Sequence, residues 1–387
     1  MLLSAACGGP AADATDTSGD EWTAKLELRI GSVDDPVYSL TAIRGLEVGP
    51  DGAIYTLHPS EAVVRQFDAD GSFVRTIGGR GSGPGEFQRA RAMGLTGDSL
   101  WVMDTEGYRI SLFALDGTFL NSFQVPFVMG SEDMADIPPR AQGLLSDGTV
   151  YGQPPGFSNW LADGRLADQV PVLMTREGKV TGALPAMPYR HLVWEVPSPD
   201  GNGGSYAIQP FEDRTAFAFA LNERALVVLD RPAPESIEDA SFTVAKLDFD
   251  GDTLFSRTFD FEPFAVRQEE LDSVVGARAS ELGERGVFGL TETAARRLAE
   301  ETLYAPPYRS GARFVVPGRD GTIWVMQEPG DADTAVWLVL DARGEPLGRV
   351  GLPSRVLLRQ ADLPFVWGVE TDELDVPYVV RYRVGTL

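Results

Sequence analysis

Residues Gly78–Phe123 read GGRGSGPGEFQRARAMGLTGDSLWVMDTEGYRISLFALDGTFLNSF. Glycines punctuate the first ten positions, which suits a tight loop rather than a regular element. Short alternating apolar runs follow: one before Gly97-Asp98, one over Leu100–Asp104, one over Arg109–Phe113 and one after Asp116-Gly117. Such runs, bounded by turn residues, read as strands. The Asp-Gly pair suits a two-residue hairpin turn, where positive φ is required. The stretch therefore predicts one complete four-stranded antiparallel sheet.

The plan repeats. Ile54–His58 aligns with Leu100–Asp104, and Phe67–Gly71 with Phe113–Gly117, both at an offset of 46 residues (100 − 54 and 113 − 67). Two segments sharing one offset indicate duplication. Looser copies begin at Asp147-Gly148, at Ala225–Asp230 with Asp250-Gly251, at Asp320–Gln327, and at Phe365–Glu370 with Tyr378–Val384. Six units result, the last with only three strands. Trp22–Ile30 reads as a strand ahead of the first unit and is expected to complete the last, which closes a ring and removes an exposed sheet edge.

The motif Gly79–Phe87, then Val102–Asp104, Arg109–Phe113 and Asp116-Gly117, resembles the NHL repeat. The resemblance implies an all-β, six-bladed β-propeller of four-stranded antiparallel blades over residues 21–387. It is strongest in blades one and two. One segment departs from the pattern. Within 264–305, Leu271, Val274, Val275, Arg278 and Leu282 follow helical spacing, and Glu292–Leu303 suits a second short helix. This predicts a small helical insertion between blades four and five.

The formal net charge of −24 repels phosphate backbones, so nucleic acid is not an expected partner. Two histidines, His58 and His191, make a multi-histidine zinc site unexpected, and one cysteine, Cys7, allows no internal disulfide. No stretch has the length and apolarity to span a bilayer. Met1–Ala6 is short and apolar and leads into Cys7, and Gly8–Asp20 has the small, polar, acidic composition of a flexible linker. Residues 1–20 resemble the end of a bacterial lipoprotein signal, without its charged n-region or a full apolar h-region. The resemblance implies a lipid on Cys7 and a place in the bacterial cell envelope, facing the periplasm or the cell surface. The membrane is then reached through the anchor only.

In a meander of this kind, interblade loops and second-to-third-strand loops emerge on one face, which also carries the long connections and the helical insertion. Loops carry function on repeat scaffolds, so this is the expected ligand face. Aligned second strands end there at His58, Asp104, Pro154, Asp230, Gln327 and Glu370, and Arg109 stands close by in the R-I position of the repeat. Two readings stay open for this partial ring. Its carboxylates cap their own turns, or they hold Ca²⁺ through several oxygens. The glycine-rich loop lacks the Gly-Lys-Ser/Thr of a phosphate loop, and no Gly-x-Ser-x-Gly nucleophile elbow is present. Phe157, Trp160 and Trp194 in the long loops suit ligand stacking or capping of the core. The expectation is a monomeric, non-catalytic propeller without a cofactor that binds a small molecule or an envelope protein. The alternative is a calcium-dependent hydrolase resembling lactonase-type propellers.

Overall fold

The computed structural model describes residues 20–125, 140–145, 147–153, 170–187, 190, 193–198, 204–284, 287–328 and 333–386. They form six four-stranded antiparallel blades. Blade one comprises Gly45–Val48, Ile54–His58, Val63–Phe67 and Phe73–Gly78, and blade two Ala90–Thr96, Ser99–Asp104, Arg109–Ala114 and Phe119–Gln124. Blade three comprises Arg140–Leu144, Val150–Gln153, Val172–Met174 and Val180–Ala183, and blade four Ala216–Ala220, Ala225–Asp230, Ser241–Asp248 and Thr253–Asp260. Blade five comprises Ala312–Pro317, Ile323–Gln327, Thr334–Leu340 and Pro346–Pro353. Blade six takes Val356–Asp362, Phe365–Thr371 and Pro377–Gly385 from the C-terminus, and Asp20–Ile30 as its outer strand.

The first strands of blades one and six adjoin, as do those of blades one and two, so the ring is closed around an axial channel. Closure uses both hydrogen bonds and packing. Asp20–Ile30 pairs antiparallel with Pro377–Gly385, from Thr23 opposite Gly385 to Ile30 opposite Val379. Its first residues also pair in parallel with Gly348–Val350 of blade five, a contact the repeat pattern did not announce. Ile30 then packs with Phe67, Ile54 and Trp367 at the interface of blades six and one. Comparable apolar clusters fill the other interfaces. Second strands are buried on both faces, as Leu100–Asp104 illustrates, because each blade is covered by a neighbour on either side.

The Asp-Gly turns take a form different from the two-residue hairpin. Gly71 N–H donates to Asp68 O and Asp68 N–H to Ser72 O, and only the glycine of the Asp70-Gly71 pair has positive φ, at 84°. The same bonds link Ala114, Gly117 and Thr118. This is a three-residue loop, a type I turn followed by a glycine bulge. The matching register shift falls between Gln66 and Phe67 in blade one and between Leu112 and Phe113 in blade two.

The insertion is helical as expected: α1 spans Gln268–Glu284 and α2 spans Glu292–Thr302, whose N-cap Thr291 accepts from Ala294 N–H. Both pack on a two-stranded hairpin, Val193–Pro197 with Gly204–Ile208, inside what reads in sequence as a plain connection. Trp194 is 3% exposed between the helices and donates its indole N–H to Thr302 Oγ1 at 3.1 Å. It is a core residue of this cap and offers no stacking platform. Arg278, the charged member of the helical stripe, is buried and donates to Ser205 O and Glu281.

Candidate functional site

Of the residues aligned at second-strand ends, His58, Asp104, Asp230 and Glu370 are engaged by neighbouring protein groups. His58 is fully buried, its Nε2 2.8 Å from Thr56 Oγ1. Burial, with the Arg65 charge nearby, lowers its pKa to about 4, so the imidazole is neutral at physiological pH. Asp104, also fully buried, accepts from the amides of Gln88 and Arg89 at 2.9 and 2.8 Å and lies 3.8 Å from Arg109 Nε. Asp230 pairs with Arg190 and accepts from Thr215 Oγ1. Glu370 lies 3.5 Å from Arg29 of the closing strand, and Gln327 is buried at the end of its strand. Among the described members of this set, only Asp104 and Arg109 form an ion pair with one another. Among the described residues, no three His, Cys, Asp or Glu side chains converge on a metal position. Cys7, Pro154, Phe157, Trp160 and His191 lie outside the described residues.

Arg109 organises the glycine-rich loop. Its guanidinium donates to Ser82 O, Gly83 O and Glu86 O. Glu86 folds back into the loop and accepts from Gly83 N–H at 2.8 Å, and added Cβ atoms at Gly81 or Gly83 would strike its carboxylate. A loop already filled by a carboxylate repels an anion, so this segment serves as an interblade turn.

The helical cap is tied to blades four and five. Arg309, just before blade five, joins Glu270 of α1 to Glu328, the residue after Gln327. Gln209 accepts from Tyr304 N–H and donates to Thr302 O.

A second set of residues emerges from strand pairing. In blade two the first strand is shifted between Ala90 and Ala92, which leaves Arg91 as the extra residue of a β-bulge. Blade six is shifted between Leu358 and Gln360, leaving Arg359. Blade five is shifted between Ala312 and Phe314, leaving Arg313, and blade three between Ala141 and Gly143, leaving Gln142. In blade one, Gly45 faces Leu57 while Arg44 N–H also donates to Leu57 O, so two residues again oppose one. A bulge interrupts side-chain alternation and re-aims the extra residue.

Arg44, Arg91 and Arg359 line one cavity of about 840 Å³ with Ala42, Glu47 and Ser60. A neighbouring cavity of about 730 Å³ shares Arg44 and Arg91 and adds Arg89, Asp104, Glu106 and Tyr151. Toward the other end, a cavity of about 560 Å³ shares Glu47 and Arg359 and reaches Arg319. The three follow the channel from one mouth to the other. Burial, then the neighbouring Arg91 charge, lowers the Arg44 pKa; burial, then Arg44, lowers that of Arg359. Both side chains, like that of Arg91, are exposed within the cavity.

Glu47 is ion-paired to Arg319, whose guanidinium also donates to Val48 O. Burial nevertheless outweighs that pair and raises the Glu47 pKa to about 7. About a quarter of the side chain is accessible, and that water lies inside the channel. Glu47 was absent from the residues singled out in sequence, as were the bulge arginines. The available signal was a basic residue recurring near the start of first strands, displaced from the 46-residue offset by the bulge.

Comparison with known proteins bears on the architecture. The model of the family DUF5128, described as a 6-bladed beta-propeller, matches residues 50–139. The chain is a six-bladed β-propeller. No curated protein matches the sequence. Among solved structures, a Bacteroides fragilis protein described as exported covers 96% of this chain and 100% of its own, at 11% identity and a TM-score of 0.48. A member of the duf4221 family from Bacteroides vulgatus covers 95% and 99%, at 9% identity and a TM-score of 0.49. Virginiamycin B lyase from Staphylococcus aureus covers 93% and 99%, at 10% identity and a TM-score of 0.45. One propeller scaffold hosts many activities, and none of these proteins' roles is carried over to this chain.

Proposed function

We propose that this propeller is a non-catalytic binding protein of the bacterial cell envelope, anchored through a lipid on Cys7, with its ligand at the channel mouth. One observation carries the reading. His58, Asp104 and Asp230 are engaged by neighbouring protein groups, while a preformed cavity of about 840 Å³ stays open where the first strands of blades six, one and two begin. That volume suits a small molecule. A catalytic base must reach a substrate proton, and His58 is fully buried.

The test pairs turnover with binding. The full chain is assayed against lactone and aryl-ester panels with calcium or with chelator, and screened by thermal shift against neutral, cationic and anionic small molecules. We expect no calcium-dependent turnover, and stabilisation by at least one ligand class that is lost in Ala42→Trp, which fills the mouth. Calcium-dependent turnover abolished by Asp230→Asn with Glu370→Gln overturns the reading. For the anchor, Cys7→Ala in a precursor with a complete signal is expected to leave the membrane fraction. Continued membrane association without acyl mass refutes that part.

A further inference from the structure

Several arginines elsewhere in the molecule are matched to carboxylates, whereas Arg44 Nε donates to the backbone oxygen of Arg91 at 3.0 Å. Arg65 pairs with Glu61, Arg231 with Glu212 and Arg319 with Glu47. The bulge arginine of blade five, Arg313, lies 3.6 Å from Glu328. Arg44, Arg91 and Arg359 differ: among the described residues no carboxylate forms an ion pair with any of them. Of the carboxylates in the cavity walls, two are engaged elsewhere and one lies at the rim. Glu47 is held by Arg319 and Asp104 by backbone amides, and Glu106, exposed at the rim, makes no ion pair among the described residues.

Three cations gathered in one cavity, two of them with pKa values lowered first by burial and then by a neighbouring arginine, repel one another. Backbone bulges fix where Arg91 and Arg359 leave the sheet, so their placement in the cavity is set by strand pairing. Each guanidinium presents a planar fork of donors that matches the two oxygens of a carboxylate or phosphate. The surrounding chain, at net charge −24, repels anions at long range, so a single weak anion gains little here. A molecule with several anionic groups gains one charge-assisted contact for each arginine it reaches.

We propose that the channel binds a small polyanion bearing carboxylate or phosphate groups, held by Arg44, Arg91 and Arg359. The proposal rests on the binding reading above and adds the chemical class of ligand. Arg91 and Arg44 grip at the mouth. Arg359, whose bulge falls two strand positions further along than that of blade two, grips deeper.

Isothermal titration of the full chain with citrate, succinate, pyrophosphate, inorganic phosphate and acetate tests it. Citrate and pyrophosphate separate the carboxylate and phosphate sources. At least one of them is expected to bind with one-to-one stoichiometry, at least tenfold more tightly than acetate, with affinity falling as salt rises. Arg91→Gln with Arg359→Gln is expected to weaken that binding at least tenfold. Without ligand, the same variant is expected to melt no lower than the parent, because like charges have been removed. Polyanions that bind no better than acetate, or binding unchanged in the double variant, overturn the proposal. A double variant that melts well below the parent without ligand assigns these arginines to the fold and overturns it as well; Arg359→Lys, which keeps the charge, then separates lost charge from lost packing. If polyanions fail while a neutral or cationic ligand binds and is blocked by Ala42→Trp, this inference falls and the binding reading stands. If nothing binds, both fall.

Discussion

Glu47 provides the sharpest test of how the channel is solvated. It sits in the first strand of blade one, paired with Arg319, and its pKa is raised from 4.5 to about 7. Between those values the folded protein keeps a proton that the unfolded chain has released. Stability from the protonated group is therefore fully present below pH 4.5 and is lost as pH rises through 7. At about 1.4 kcal/mol per tenfold change in proton affinity, the loss is about 3 kcal/mol. Glu47→Gln mimics the protonated carboxyl at every pH. At pH 4 variant and parent should be equally stable within about 0.5 kcal/mol, as expected of a near-isosteric change. At pH 8 the variant should be more stable by about 3 kcal/mol. Urea unfolding with linear extrapolation, at one-unit steps from pH 4 to 8, measures the difference directly. A difference that stays flat with pH refutes the argument. A variant less stable than the parent at pH 8 means that the Arg319 pair outweighs burial, and that the channel is wetter than its geometry indicates.

His58 has the opposite sign. With its pKa lowered from 6.5 to about 4, its contribution is intact above pH 6.5 and lost as pH falls through 4, so His58→Gln should lessen the acid sensitivity of unfolding; an unchanged pH profile counts against its neutral burial. Deleting residues 1–30 removes the fourth strand of blade six and exposes the edge of Pro377–Gly385, so aggregation is expected by light scattering; a soluble monomer with an unchanged melt refutes the closure argument. Gly78 has φ of 83° and its missing Cβ would collide with the Phe87 ring, so Gly78→Ala should cost about 2 kcal/mol or more in urea unfolding, and a cost under about 0.5 kcal/mol contradicts the packing. Trp194→Ala should loosen the cap, seen as faster amide exchange over 268–302 with blades one and two unchanged; equal acceleration everywhere would show that cap and propeller unfold as one unit.

Much of the architecture was legible in the chain because it depends on local signals. Apolar alternation marks a strand, an Asp-Gly pair ends it, and a 46-residue spacing repeats it, so blade count, closing strand and helical insertion could all be read before any fold was known. Turn type was read less well: Asp70-Gly71 names a turn, but whether the glycine ends a two-residue hairpin or a three-residue loop depends on which amide meets which carbonyl across the strands. The role of Trp194 was likewise hidden, since its partners Val275 and Ala299 come from a distant insertion.

The channel site belongs to the tertiary structure. Arg44, Arg91 and Arg359 stand on three blades, and the last two are 268 residues apart (359 − 91). In an unbulged strand, alternation alone would assign each residue to one face or the other. A bulge exists only once two strands have paired out of step, and only ring closure brings the first strands of blades six, one and two around the same water. The raised Glu47 carboxyl depends on the tertiary structure as well, because its cause is burial in the folded ring.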